Sequence, residues 1–190
     1  MNVRLTIVLI LVLVIIGGLV AVTQVLRDSS DDGPERKARL YRIDSGDLVE
    51  IGLSQEQQSI VFVAVSSPDG NREWFIEEES GENAPVNIQK WGGIPILVGG
   101  PSVIRDLSED EEALDLATYG LEAPRRHIYL TLKSGARIDV EVGDDTPTGE
   151  GYYVKVANTQ PLYIVTKEWI DVIMGLLAEP PYQTDDTETG

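Results

Sequence analysis
The sequence predicts an α+β protein: a single N-terminal transmembrane helix followed by one domain of antiparallel β-hairpins packed with two or three short helices. Three observations predict it. An uncharged run, LTIVLILVLVIIGGLVAVTQVL, occupies residues 5–26. Three pairs of period-two apolar segments, each pair joined by a short turn-forming stretch, follow in the chain. Two segments carry helix punctuation, one near Ser108 and one beginning near Thr166.

The first run has 22 residues without a charge. As a helix it would extend about 33 Å at about 1.5 Å per residue, enough for a hydrocarbon core of about 30 Å. A cleaved signal peptide would usually have an apolar region of only about 7–15 residues before a small-x-small site. The best such site here, Ala21-Val22-Thr23, is poor, so residues 1–26 read as an uncleaved anchor. Residues 27–39, RDSSDDGPERKAR, lack apolar periodicity, contain Gly33-Pro34 and read as a polar linker. The folded unit is expected over 40–182, with an acidic, disordered tail at 183–190. The basic residues after the span, Arg27, Arg36, Lys37 and Arg39, would favour a cytoplasmic domain by simple counting. They are interleaved with Asp28, Asp31, Asp32 and Glu35, and a four-residue N-tail with one Arg suits a signal anchor. The reading adopted is a single-pass protein of a bacterial inner or plasma membrane with its domain on the extracytoplasmic side.

Charge narrows the partners. The 190-residue chain of 20.8 kDa has 15 Lys and Arg against 32 Asp and Glu, a formal charge of -17. Such a field repels nucleic acid and anionic lipid. The expected partners are membrane lipid through residues 5–26 and other membrane or envelope proteins, with no nucleic acid. There is no cysteine, which removes disulfides, thiolate metal sites and cysteine nucleophiles.

Within the domain, SIVFVAV and REWFIEE flank Ser67-Pro68-Asp69-Gly70-Asn71, HIYLTL and RIDVEV flank Lys133-Ser134-Gly135-Ala136, and YYVKVA and PLYIVT flank Asn158-Thr159-Gln160. Each reads as a hairpin. Ile138, Val140 and Val142 alternate with Arg137, Asp139 and Glu141, which buries one face and wets the other. Gly143 to Gly151 reads as a longer loop joining the second hairpin to the third. Ser108 and Glu111 form a capping box that starts one helix. The last helix takes Thr166 as its N-cap, buries Trp169, Ile170, Ile173, Met174 and Leu177, and ends at Pro180. Two Gly-Gly pairs and two internal prolines in 84–107 allow only a short helix or strand with loops.

Gly120 stands where the helix from Ser108 must stop, because glycine enters the left-handed region without a Cβ clash. Leu121 would fold back on the last turn. Pro124 blocks helix continuation and pushes Ala123 into extended geometry before the strand near His127.

The motifs LYRID at 40–44, REWFIE at 72–77, YGLEAP at 119–124, VEVGDDTPTGEGYYVKV at 140–156 and PLYIVTKEWIDVI at 161–173 together resemble a known family. It is the domain of unknown function numbered 4340, found in membrane-anchored bacterial proteins, some of them encoded beside gliding-motility-type ABC transporter components. Family members often carry a longer clean helix before the tyrosine-glycine-leucine stop, where this chain has WGGIPILVGG. The resemblance implies an envelope location and transporter company. It brings no catalytic residues and no cofactor.

Chemistry finds few candidates. His127 is the sole histidine, no Gly-x-Ser-x-Gly is present, and a strand-edge role explains it without a triad. Glu77, Glu78, Glu79 and Glu82 could supply paired carboxylates, but they follow a strand into a Ser-Gly turn. Asp144, Asp145 and Glu150 in GDDTPTGEG are the best metal candidates, since hard cations take several oxygens from a flexible loop. They lack the alternating spacing of a calcium loop. IPILVGGPS is Gly-rich but has no Gly-Lys-Ser/Thr for phosphate. The favoured function is a membrane-tethered, non-enzymatic accessory or scaffold domain of an envelope complex. The alternatives are an envelope hydrolase using carboxylates and a cation- or ligand-binding sensor acting through the Gly143–Gly151 loop.

Overall fold
Among the described residues nine strands form a single sheet in the order β4-β3-β2-β1-β6-β7-β8-β9-β5, with every neighbouring pair antiparallel. The computed structural model describes residues 38–67, 71–108 and 115–183. The strands are β1 (Leu48–Gln55), β2 (Gln58–Ser66), β3 (Arg72–Glu77), β4 (Asn83–Pro85), β5 (Val103–Asp106), β6 (Arg126–Leu132), β7 (Arg137–Asp145), β8 (Gly151–Val156) and β9 (Leu162–Thr166). Three helices accompany them among the described residues: α1 (Ile88–Trp91), α2 (Ile94–Leu97) and α3 (Lys167–Ala178). A 3₁₀ turn occupies Leu116–Tyr119.

The hairpins expected from period-two patterning are present as β2–β3, β6–β7 and β8–β9. Strand β1 joins the first of these to the second, pairing with β2 on one side and β6 on the other. Its apolar positions Leu48, Ile51 and Leu53 break strict alternation, and a register shift between Leu48 and Glu50 in the β1–β6 ladder accounts for the break. Gly52 sits within it, where a Cβ would stand 3.3 Å from the Tyr129 ring.

At the β8–β9 end both sheet faces are covered. Tyr152, Val154 and Val165 enter the main core with Trp169, Ile170, Ile173 and Met174. Leu162 and Ile164 enter a second cluster with Leu107 and Leu121, against which Tyr119 and Tyr153 pack. Burial on both faces explains why LYIV runs apolar without alternating. On the main face, Trp91 stacks at 4.5 Å on Phe62 and 5.3 Å on Trp74, and Trp169 Nε1 donates to the Leu97 carbonyl at 2.9 Å. Those contacts tie α1 to the sheet and α2 to α3.

Several expectations are corrected. The 143–151 segment is not one loop: β7 runs to Asp145 and β8 begins at Gly151, leaving 146–150 between them. The buried face of α3 includes Leu176, whereas Leu177 is only half-buried. Thr166 holds the N-cap position in extended geometry, but its side chain makes no capping bond. The 84–107 stretch holds β4, α1, α2 and β5 rather than a single element. Ser108 gives its hydroxyl to the Asp106 carboxylate. The helix body with Glu111, the anchor at 5–26 and the tail beyond Gln183 lie outside the described residues. Among the described residues no helix is long and apolar enough to cross a membrane.

Candidate functional site
The two sequence motifs YGLEAP and GDD meet in space. Asp115 caps the 3₁₀ turn, its carboxylate accepting from Ala117 N–H at 3.2 Å and the Thr118 hydroxyl at 2.8 Å. The turn ends at Gly120, which takes φ 67° and ψ 22°. Leu121 N–H returns to the Leu116 carbonyl at 2.8 Å, and its side chain is buried in the second cluster. This turn is pressed against the end of β7. A Cβ on Gly143 would lie 2.1 Å from the Tyr119 carbonyl oxygen, and one on Gly120 would lie 2.6 Å from the Asp144 carboxyl carbon. The two chain segments come this close because Gly143 and Gly120 bring no side chain to the contact.

The register of β7 against β8 shifts between Val142 and Asp145. The extra residue re-aims the strand end, as bulges do. Asp144 lies against the Gly120 turn, while Asp145 pairs with Lys167 at the start of α3. A cleft of about 510 Å³ opens beside the crossing, lined by Gln55, Glu56, Glu122, Arg125, Arg126 and Asp144 among others. Glu56 and Arg125 form its rim, 3.8 Å apart and largely exposed. The Glu56 N–H also donates to the Arg125 carbonyl at 3.0 Å.

Arg126 leads from the cleft into a network. Its guanidinium donates to the Gly143 carbonyl at 2.6 Å and lies 4.5 Å from the Tyr152 ring centre. Lys167 Nζ lies 5.1 Å from the same ring. The Tyr152 hydroxyl donates to Asp171 at 3.0 Å. The hydrogen bond from Lys167 holds the Asp145 carboxyl below its ordinary pKa, and the same bond raises that of Lys167. Burial, then the bond to Asp171, pushes Tyr152 upward. Sequence reasoning passed over Tyr152, Lys167 and Asp171; the Lys-Asp spacing of four on a helix was the available signal.

The metal candidates are not brought together. Asp145 is held by Lys167, Asp144 faces Gly120, and Glu150 is exposed, its carbonyl accepting from Lys167 N–H at 3.0 Å. Among the described residues no three His, Asp or Glu side chains are placed to hold a metal ion. His127 has the Asp139 carboxylate 3.3 Å from Nδ1 and the Pro124 carbonyl 3.2 Å from Nε2, and it stacks on Tyr129. Glu78 and Glu82 close a backbone turn, Glu78 N–H donating to the Glu82 carbonyl at 3.1 Å. Trp169 and Leu121 are buried packing residues.

Residues 103–172 match the family model described as Domain of unknown function (DUF4340). The match takes in β5 to β9, the Gly120 turn, the bulge and the first half of α3. No curated protein matches the chain.

Proposed function
We propose that the protein is a membrane-tethered, non-enzymatic accessory or scaffold domain of a cell-envelope complex, with ABC transporter components as the company the family resemblance suggests. One observation supports it above others: the polar network that Arg126 leads into from the cleft is bonded within the fold. Asp145 serves Lys167, Tyr152 serves Asp171, and Arg126 serves Gly143 and Tyr152. His127 has an oxygen partner at each ring nitrogen. A general acid or base must instead present a positioned group to its substrate. The tether is read from the uncharged run at 5–26. A ligand-sensing reading is favoured by one feature, the cleft of about 510 Å³ beside Asp144.

The test is made on the full chain. It should sediment with membranes, resist high salt and carbonate, and co-purify in mild detergent with other envelope proteins. Protease added outside spheroplasts should digest the domain. Turnover of ester, glycoside or phosphate substrates, abolished by Glu78→Gln or His127→Asn, would overturn the non-enzymatic reading.

A further inference from the structure
Charge is segregated in a way the total conceals. Residues 38–43 and 86–105 contain Arg39, Arg42, Lys90 and Arg105 and not one acid, in a chain with 32 acidic and 15 basic residues. The two segments are one layer of the fold. Leu40 N–H donates to the Pro101 carbonyl at 3.1 Å, Ile43 N–H to Gly99 at 2.8 Å, and Arg39 bridges Ser102. The flanking acids are engaged locally, Asp44 accepting from Gly46 N–H and Asp106 from Ser108. The same layer carries the most exposed large apolar side chains among the described residues, Ile88 at 83% and Ile96 at 74%. Their neighbours Trp91, Ile94 and Val98 are buried, so the segment has buried side chains in the core and exposed isoleucines on its surface.

The position of this layer along the chain identifies its occupant. The described chain begins at Ala38, whose carbonyl accepts from Val103 N–H at 2.7 Å. If residues 5–26 span the bilayer, the dozen steps from Leu26 to Ala38 reach at most about 40 Å, which keeps the domain within reach of the lipid surface. Exposed isoleucines beside arginine and lysine, with no acid among them, suit a surface with an apolar interior and anionic headgroups. We infer that the layer formed by residues 38–43 and 86–105 docks on an anionic membrane surface, inserting Ile88 and Ile96 at the headgroup boundary and so fixing the orientation of the tethered domain. The inference rests on the tether reading above.

The absence of cysteine makes the test clean. Full-length Gln89→Cys and, on the β6–β7 turn, Ser134→Cys would each carry one environment-sensitive fluorophore. Both would be reconstituted in vesicles of mixed phosphatidylcholine and phosphatidylglycerol and in pure phosphatidylcholine, with headgroup-proximal spin-labelled lipid as quencher. Quenching at position 89 should exceed that at 134 by about threefold or more in the anionic vesicles, and the excess should shrink without phosphatidylglycerol. Adding Ile88→Ser and Ile96→Ser, or separately Arg42→Glu and Lys90→Glu, should bring position 89 down to the level of 134; the charge pair leaves the apolar packing untouched. Equal quenching at both positions in protein that still floats with vesicles overturns the docking and leaves the tether standing. A blue-shifted but unquenched label at 89 means protein covers the patch, and also overturns it. Failure to float with the vesicles overturns tether and docking together.

Discussion

The two tightest backbone crossings among the described residues end very differently. At the β7 end, Gly143 admits the Tyr119 carbonyl; at the α2 end, Gly100 admits the Tyr41 carbonyl, and in each case a Cβ would stand 2.1 Å from that oxygen. Around the first crossing the charged side chains satisfy one another, through Arg126, Tyr152, Lys167, Asp145 and Asp171. Around the second stand basic residues with no acid in the segment, and isoleucines that face outward. Backbone proximity decides the fold in both. The side chains around the crossing decide whether the surface is finished or still has something to meet.

The comparison first requires that the second region be as firmly packed inside as the first. Trp91 is 5% exposed and stacks on Phe62 and Trp74. Trp91→Ala should therefore cost about 3–5 kcal/mol in urea unfolding, the cost of emptying a large core position. A loss below about 1 kcal/mol would mean that the α1–α2 layer is loosely held, and the comparison would fail at its base. Next come the crossings themselves. Gly143→Ala should cost about 3 kcal/mol, because the obstacle is a backbone carbonyl and not the tip of a flexible side chain. Gly120→Val, which puts a β-branched residue at φ 67° against Asp144, should cost about 1–3 kcal/mol. Thermal melts that match the parent would overturn the reading of this turn as a glycine-dependent stop.

How far the sequence could be read follows from the same physics. Hairpins were legible wherever one sheet face is wet, because alternation then survives in the residues: Ile138, Val140 and Val142 are the plainest case. The β8–β9 pair was legible from its turn despite burial on both faces. Strand β1 was not read, since its register shift and Gly52 break the pattern. The GDD stretch looked like a loop because its residues are loop formers, while the backbone there stays in the sheet through a bulge that depends on partner strands. At the site, Gly120 and Leu121 were legible from the glycine stop, a local rule. The Arg126–Tyr152–Lys167 arrangement was not, because it joins three elements that only the fold brings together. The net charge of -17 likewise pointed away from anionic lipid, and the total conceals that 38–43 and 86–105 hold basic residues and no acid.

A smaller effect of opposite sign tests the interior beneath the second crossing. The Tyr41 hydroxyl is buried with no hydrogen-bond partner among the described residues, and burial pushes its pKa far upward. An unpartnered buried hydroxyl costs its desolvation, so Tyr41→Phe should raise stability by about 1 kcal/mol, read as a higher urea midpoint at unchanged slope. A destabilised variant would show that the hydroxyl has a partner and that this region is internally as satisfied as the first.

The smallest expected effect belongs to the first region and carries a pH signature. The carboxyl of Asp145 is held below its ordinary value chiefly by the hydrogen bond from Lys167. A depressed carboxyl stabilises the fold at pH values above its unfolded pKa, and that contribution disappears as pH falls through the lower folded value. Lys167 is raised by the same bond, so its side of the pairing is present below its unfolded value and fades only in strong alkali. Between those limits the pair acts once, not twice. With the two side chains 46% and 37% exposed, solvent screening keeps its contribution small. Asp145→Asn should therefore lower stability slightly near about pH 7, and the gap from the parent should close as pH falls through the lowered pKa of the parent carboxyl. A gap that persists undiminished in acid would show that asparagine disturbs the bulge sterically and that the charge pairing does not secure this crossing.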